Sequence, residues 1–181
     1  MELISAARRS ELLGEARSVL KMETRDHYAV DRALFAAWRA GDLDKVDRLA
    51  RAGRRRTAAR LDAGMTLRRV KVVSEPLSEY QRFAYECGTR ALDPREELRW
   101  APRRLTSGIM LPGNDFFLLD EEVVIFNVLD GADGPAEQQL VTDTEIVKLC
   151  REAFESAWAV AIPHAEYDPR RPVPGPVPGT G

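Results

Sequence analysis

Apolar residues recur at the spacing of an α-helix through the first third of the chain. A first amphipathic helix is predicted from the positions Leu3, Ile4, Ala7, Leu12, Leu13, Ala16, Val19 and Leu20. A connection over residues 22–30 follows. Two more helices are then expected, with Asp31 and Asp42 as their N-caps. The pattern therefore predicts an N-terminal helical segment over residues 1–64.

From residue 65 onward the pattern becomes typical of strands alternating with helices. Residues 69–73 alternate and are β-branched, which predicts a strand. Ser74-Glu75-Pro76 is typical of a helix start, and the next strand is predicted over residues 98–104, short or at an edge because of Pro102. The order strand, helix, strand predicts a parallel pair joined by a crossover.

The remainder of this region predicts a hairpin, a strand and a long helix. Two apolar runs meet at an acidic turn within residues 112–126, which predicts a buried hairpin. A strand over residues 137–141 is followed by a helix that starts with the capping box Thr142 to Glu145 and ends near Ala161. The fold class is thus α/β, a mixed sheet flanked by helices over residues 65–168. Residues 169–181, rich in Pro and Gly, are predicted to form a flexible tail.

Composition narrows the class of protein. The chain has 181 residues, 44% of them hydrophobic, which is enough for one domain with a sizeable core. It lacks an apolar run long enough to span a membrane and a typical signal peptide at its start, and its two cysteines form no metal-binding or disulfide pattern. These features predict a cytoplasmic protein without a metal or cofactor.

The net charge of −2 is unevenly distributed. Residues 51–71 contain eight Lys and Arg residues and one aspartate. Such a segment is typical either of a contact with nucleic acid or an acidic partner, or of a solvated helix face, which is the favoured interpretation. The candidate contact residues are Arg51, Arg54, Arg55, Arg56 and Arg60.

A second group of polar residues is expected where strands end. In open α/β sheets, ligands bind at the carboxyl ends of strands, and Arg side chains hold carboxylates or phosphates. The candidate ligand- or partner-binding residues are Ser74, Glu75, Ser78, Glu79, Arg82, Arg104, Asn114 and Asp115. The plainer interpretation is that these residues make caps, turns and surface ion pairs.

No set of catalytic residues is predicted. His27 and His164 lack metal-ligand neighbours, although His164 with Glu166 is a candidate acid-base pair, and Cys87 falls on an apolar helix face. Asp115 and residues 120–122 form an acidic group that is a candidate for attracting a cation, with a solvated turn as the favoured alternative.

The hairpin resembles the one that carries the active-site signature of the phospholipase D superfamily, a histidine, a lysine two residues later and an aspartate five residues beyond the lysine. With Asp120 laid on that aspartate, the histidine position is Gly113 and the lysine position is Asp115. The resemblance therefore implies a catalytically degenerate half-domain. Half of a two-lobed scaffold also implies a homodimer.

Four segments, residues 22–30, 70–83, 100–104 and 111–116, closely resemble an actinobacterial family of unknown function, domain-of-unknown-function family 6879. Its members are commonly encoded beside helix-turn-helix regulators. The resemblance implies a non-catalytic regulatory or accessory module that binds a small ligand or a protein partner, alongside such a regulator. The alternatives are a small enzyme for phosphoryl or acyl transfer, using Glu79, Asp115 or His164, and nucleic-acid binding through residues 51–71.

Overall fold

The computed structural model describes residues 1–170, which fold around one mixed sheet of eight strands. The strands are β1 Glu2–Leu3, β2 Ser18–Glu23, β3 Thr66–Val73, β4 Glu96–Pro102, β5 Asp115–Leu119, β6 Val123–Leu129, β7 Pro135–Val141 and β8 Ile162–Pro163. The helices are α1 Ala6–Glu15, α2 Arg32–Arg39, α3 Leu43–Asp62, α4 Glu79–Ala91 and α5 Thr144–Val160. The predicted flexible tail lies outside the described residues from residue 171 onward.

The strand order is β1-β7-β6-β5-β2-β3-β4-β8. Strands β2, β3 and β4 are parallel to one another, and the remaining neighbours are antiparallel. The predicted parallel pair, β3 and β4 joined through α4, and the predicted hairpin of β5 and β6 are both confirmed. The α/β class, with a mixed sheet flanked by helices, is confirmed with them.

The helix predicted over Leu3 to Leu20 is wrong beyond Glu15, and also at Leu3, which belongs to β1. Helix α1 ends at Glu15, and residues 18–23 form β2, which pairs with β5 on one side and β3 on the other. Two ladders of hydrogen bonds satisfy the backbone, and Met22 is completely buried, so pairing with distant strands overrides the local spacing. Residues 1–64 therefore share one sheet with residues 65–168.

The predicted start of α4 at Ser74 is also wrong. Helix α4 begins at Glu79, and the Ser78 hydroxyl accepts the hydrogen bond of the Gln81 amide at 3.1 Å. The Ser74 hydroxyl instead donates to Asp26 Oδ2 at 2.6 Å and accepts from Arg103 Nε at 3.1 Å. Its partners are thus distant in the chain, and the local pattern does not indicate them.

Other caps show how far local patterns hold. Asp42 caps α3 as predicted, with its Oδ1 accepting from the Lys45 amide at 2.9 Å. Asp31 precedes α2, but its carboxylate accepts from the Tyr80 hydroxyl at 2.6 Å and makes no cap. Helix α5 is capped by Asp143 and not by Thr142 of the predicted capping box.

The two faces of the sheet bury different kinds of side chain because neighbouring residues of a strand point in opposite directions. Helix α5 packs Phe154 and Trp158 against an apolar face that includes Met22, Val70 and Phe116. The other face is covered by α1 and α3 near β5 and β6, and by α4 near β4. Side chains in the middle of this second face are charged.

Candidate functional site

Six charged side chains lie on the second face of the sheet, at positions that would otherwise belong to a core, and five of them, all except Asp115 of β5, form one network. Lys21 pairs with Arg69 and Glu23 with Lys71 in the register of β2 and β3, and Glu96 lies on the same face of β4. We call these residues the charged floor. Glu23, Lys71 and Glu96 are each less than 9% exposed.

The charged floor is organised around Glu23. Its Oε1 accepts from Lys21 Nζ at 3.0 Å, and its Oε2 lies 3.2 Å from Arg69 Nη2 and 3.4 Å from Lys71 Nζ. Arg69 also donates to Glu96 through Nη1. The charged floor thus contains three cations and two carboxylates, and the buried Asp115 carboxylate lies on the same face of the sheet.

The pKa values of Glu23 and Lys71 are displaced by this arrangement. Burial alone would raise the pKa of Glu23, but the charges of Lys21, Lys71 and Arg69 hold it well below its ordinary value. Burial lowers the pKa of Lys71; Glu23 opposes that effect, and Arg69 and Lys21 add to it. Glu23 is therefore ionised at neutral pH, whereas the environment disfavours the Lys71 ammonium.

A cavity of about 730 Å³ lies over the charged floor, beneath α1, α3 and α4. Its volume falls within the range of sites for small molecules. Polar side chains from several elements line the cavity, together with apolar side chains from the helices and β5. Among the lining residues are Arg9, Leu13, Tyr28, Arg54, Phe83, Leu98, Asp115, Phe117, Asn127 and Gln138.

Asp115 joins this cavity to the edge of the sheet. The carboxylate is 4% exposed, and its Oδ1 accepts from the amide and the hydroxyl of Thr24, both at 2.8 Å. Its Oδ2 accepts from the Tyr28 hydroxyl. Burial, followed by the charges of Glu23 and Asp115, raises the pKa of Tyr28, so its phenol stays protonated as a donor.

Ser74, Glu75 and Arg104 lie outside the cavity, in a network at the carboxyl ends of β3 and β4. Arg104 Nε is 3.1 Å from Glu75 Oε2, and the Tyr167 hydroxyl donates to Glu75 Oε1 at 2.9 Å. The Ser74 hydroxyl accepts from Arg103 Nε at 3.1 Å while donating to Asp26. These predicted binding residues are thus engaged with other protein groups.

The other predicted binding residues are dispersed. Ser78 caps α4, Glu79 pairs with Arg39 at 3.3 Å on the surface, and Arg82 is exposed. Asn114 is partly buried and immediately precedes β5. Of the eight predicted residues, Asp115 is the one that lines the cavity. A binding role for the others stays a prediction.

The predicted acidic group is divided by the length of β5. Asp115 begins that strand, and Asp120 follows its last residue, so about 17 Å separates them along the backbone. Asp120 Oδ1 accepts from the amides of Arg17 at 2.9 Å and Ser18 at 2.7 Å. The two aspartates therefore cannot hold one cation together, and within residues 1–170 no cluster of His, Cys, Asp and Glu is arranged for a metal ion.

The arginines predicted to contact nucleic acid or an acidic partner divide into two groups on α3. Arg54 pairs with Asp47 at 3.2 Å and lines the cavity, and Arg60 Nη2 donates to the Ser10 carbonyl at 3.1 Å. The other three are exposed, namely Arg51, Arg55 and Arg56. The solvated surface of α3 thus carries only part of the predicted set.

The candidate bases contact other protein groups, and the candidate nucleophile is protonated at neutral pH. His164 Nδ1 accepts from Trp100 Nε1 at 2.8 Å, and its Nε2 lies 3.1 Å from the Thr89 hydroxyl, so its ring contacts these residues and not Glu166. Burial raises the pKa of the Cys87 thiol to about 11, which keeps it protonated at neutral pH. His27 lies 3.4 Å from Asp133.

Sequence interpretation missed the charged floor, together with Arg9, Tyr28, Asn127 and Gln138. One pattern pointed to it: Arg69 and Lys71 occupy alternate positions of a β-branched strand that was predicted to be part of the sheet. Charged residues at alternate positions of an inner strand indicate a polar space on one face of the sheet, because burial of unpaired charge is costly.

No helix within residues 1–170 is long and apolar enough to cross a membrane.

Comparisons with known proteins place the chain in a family. The structure is similar to TrmBL2, an archaeal chromatin protein reported to show a novel mode of DNA binding, with a TM-score of 0.44, 17% identity and coverage of 86% of this chain and 48% of that chain. The chain thus spans about half the length of TrmBL2.

It is also similar to NucT from Helicobacter pylori, with a TM-score of 0.48, 10% identity and coverage of 90% of this chain and 96% of that chain. No curated protein matches the sequence. The model of DUF6879, a domain of unknown function, matches residues 7–169. Since that match includes nearly the whole chain, the protein belongs to the DUF6879 family.

Proposed function

We propose that this protein is a ligand-binding module and that its cavity holds a small molecule through an anionic group placed beside Lys71. The observation that carries the proposal is the buried Lys71 ammonium beneath a cavity of about 730 Å³, because its one ion pair within residues 1–170 is to a carboxylate that it shares with two other cations. A buried cation without a full set of acceptors is costly, and an oxyanion in the cavity supplies the missing acceptors.

Among the three cations of the charged floor, Lys71 has the longest ion pair. Its ammonium has three donors, and within residues 1–170 its one ion pair is to Glu23 at 3.4 Å. The same Glu23 carboxylate already receives Lys21 and Arg69 at shorter distances. Lys71 Nζ also lies 5.5 Å from the centre of the Tyr28 ring, beside the Asp115 carboxylate that Tyr28 holds. A ligand carboxylate or phosphate is the group that this position favours.

We propose that the protein, through ligand binding, has a regulatory or accessory role alongside a helix-turn-helix regulator in the cytoplasm. This part rests on the resemblance of the sequence to its family. A phospholipase D-like half-domain, and a homodimer built from two of them, belong to the same proposal. The parallel strands β2 to β4 followed by the β5-β6 hairpin support the half-domain.

A catalytic role is the alternative. It would place a reaction at Asp115, which lines the cavity, because Glu79 is at the surface and both ring nitrogens of His164 have protein neighbours. Turnover that disappears in Asp115→Asn while the fold is retained would favour this alternative.

The proposal is tested by the small molecules that remain bound to the protein purified from its own cells. Wild-type protein, Lys71→Met and the surface control Arg56→Met are denatured, and the released molecules are identified by mass spectrometry. We expect an anionic molecule near one per chain from the wild type and the control, and a loss of at least tenfold in Lys71→Met. Equal amounts from all three proteins, or no retained molecule, would refute the proposal.

A further inference from the structure

We infer that the ligand carries a second anionic group, which binds Arg9 at the other end of the same cavity. This inference rests on the proposed function, because it concerns the same ligand. It makes Arg9 the residue that distinguishes a dianion from a monoanion.

Arg9 is positioned by neutral groups. Its Nη1 donates to Asn127 Oδ1 at 3.2 Å and to Gln138 Oε1 at 3.0 Å. Its Nε is buried and has no hydrogen-bond partner within the described chain. Two amide oxygens fix the direction of the guanidinium without neutralising its charge.

The surroundings of Arg9 increase the need for an anion. Within residues 1–170 no carboxylate lies at ion-pair distance from it, and the charge that acts on its pKa is the cation of Arg60. Burial, followed by Arg60, lowers the pKa of Arg9. By contrast, every other arginine of the cavity, Arg54, Arg69 and Arg90, has a carboxylate partner.

The strand residues that hold Arg9 and the strand residue Lys71 belong to one row of residues paired across the sheet, at different places along it. Gln138 and Asn127 pair across β7 and β6, Asn127 pairs with Asp115 of β5, and Glu23 pairs with Lys71 of β3. From β6 to β3 there are three inter-strand spacings, about 14 Å at the backbone. A ligand that reaches both cations is therefore elongated. Asp115 and Glu23 lie between the cations in this row, and Phe117, which also lines the cavity, lies in the next row beside Lys21.

Arg9 could instead serve only to attach α1 to β6 and β7, and the test separates the two roles. Linear dicarboxylates of six to ten carbons are compared with monocarboxylates of the same length by isothermal titration calorimetry at neutral pH. Equal chain lengths cancel the apolar contribution of the methylene groups. The ratio of the two affinities then reports the second anionic group alone.

We expect wild-type protein to bind the dicarboxylate at least tenfold more tightly than the matching monocarboxylate at the best chain length. Arg9→Gln should reduce that ratio to near one, Arg9→Lys should restore part of it, and the neighbouring surface variant Arg8→Gln should leave it unchanged. Asn127→Asp keeps Arg9 but gives it an internal carboxylate partner, so it should also abolish the preference if folding is intact.

A ratio near one in wild-type protein, absence of binding by every dicarboxylate, or a ratio that persists in both Arg9→Gln and Asn127→Asp would overturn the inference. The proposed function fails separately, since it depends on the loss of retained molecules in Lys71→Met. A retained molecule with a single anionic group would uphold the function and refute the second subsite.

Discussion

The two faces of the central sheet are built from the same strands and have opposite character. On the face covered by α5, Met22, Val70, Phe116 and Phe154 are all completely buried in one apolar cluster, and the Arg68 guanidinium lies over the Phe154 ring at the edge of that cluster. On the face covered by α1, α3 and α4, Lys21, Glu23, Arg69 and Lys71 occupy alternate positions of the same strands β2 and β3.

This difference separates stability from binding within one sheet. Apolar side chains fill their space and stabilise the fold by leaving water. Buried ion pairs contribute little net stability because desolvation offsets their attraction. A buried ammonium that shares its one carboxylate with two other cations is therefore better explained by binding of an anion than by stabilisation of the fold.

The largest expected effect is on the apolar face. Phe154→Ala creates a cavity under α5 and should lower the free energy of unfolding by about 4 kcal/mol. Leu149→Ala on the same helix, where the side chain is 53% exposed, should change it by less than about 0.5 kcal/mol. Denaturant unfolding measures both, and similar losses in the two variants would contradict the assignment of the core.

The next effect is on the charged face. Glu23→Gln removes the carboxylate shared by Lys21, Arg69 and Lys71, and should cost about 3 kcal/mol because it leaves buried cations uncompensated. A loss below about 1 kcal/mol would show that water in the cavity solvates these cations.

The same variant tests the effect of pH. The pKa of Glu23 is lower in the folded than in the unfolded protein, so its contribution is complete above the ordinary carboxyl pKa of 4.5 and is lost as pH falls below it. The difference in unfolding free energy between wild type and Glu23→Gln should therefore shrink between pH 6 and about pH 3. A constant difference would show that the pKa of Glu23 is not depressed.

A smaller effect is expected at the junction of the cavity and the sheet edge. Tyr28→Phe removes the hydroxyl that donates to Asp115, which keeps its two bonds from Thr24, and should cost about 1.5 kcal/mol. Tyr167→Phe removes an equivalent donor to Glu75, away from the cavity, and should cost a similar amount. We expect only Tyr28→Phe to weaken ligand retention. Equal weakening in both variants would indicate that the ligand binds at the sheet edge and not in the cavity.

The smallest effect is expected on the exposed surface of α3. Arg51→Ala, Arg55→Ala and Arg56→Ala should each change stability by less than about 0.5 kcal/mol. Fluorescence anisotropy with a DNA duplex, at low and at physiological salt, tests the nucleic-acid alternative. We expect no binding; binding that falls steeply with salt and is lost in the triple variant would assign this surface to nucleic acid.

The sequence predicted those parts of the fold whose patterns are local. Strand β3, the β5-β6 hairpin and α5 each carry their own periodicity, and they form as expected. Strand β2 was missed because Val19 and Leu20 continue the helical spacing of α1, and only pairing with β3 and β5 makes residues 18–23 extended.

The candidate site was less predictable, because residues from distant parts of the chain form it. Asp115 was predicted because it lies at the start of the hairpin, where it approaches the sheet edge that carries Ser74, and it does line the cavity. Arg9 and Lys71 line the same cavity only when α1 folds over the sheet. No spacing within the sequence connects them.

Lys71→Met tests the central claim most directly, because it removes the buried ammonium proposed to hold the anionic group and keeps a side chain of similar shape. The charged floor is then left with two cations, Lys21 and Arg69, and two carboxylates, Glu23 and Glu96. We expect the ligand-free variant to be as stable as wild type or more stable by about 1 kcal/mol, and to retain no ligand. A loss of about 3 kcal/mol or more in denaturant unfolding, with ligand retention intact, would show that Lys71 serves the fold and would contradict the account.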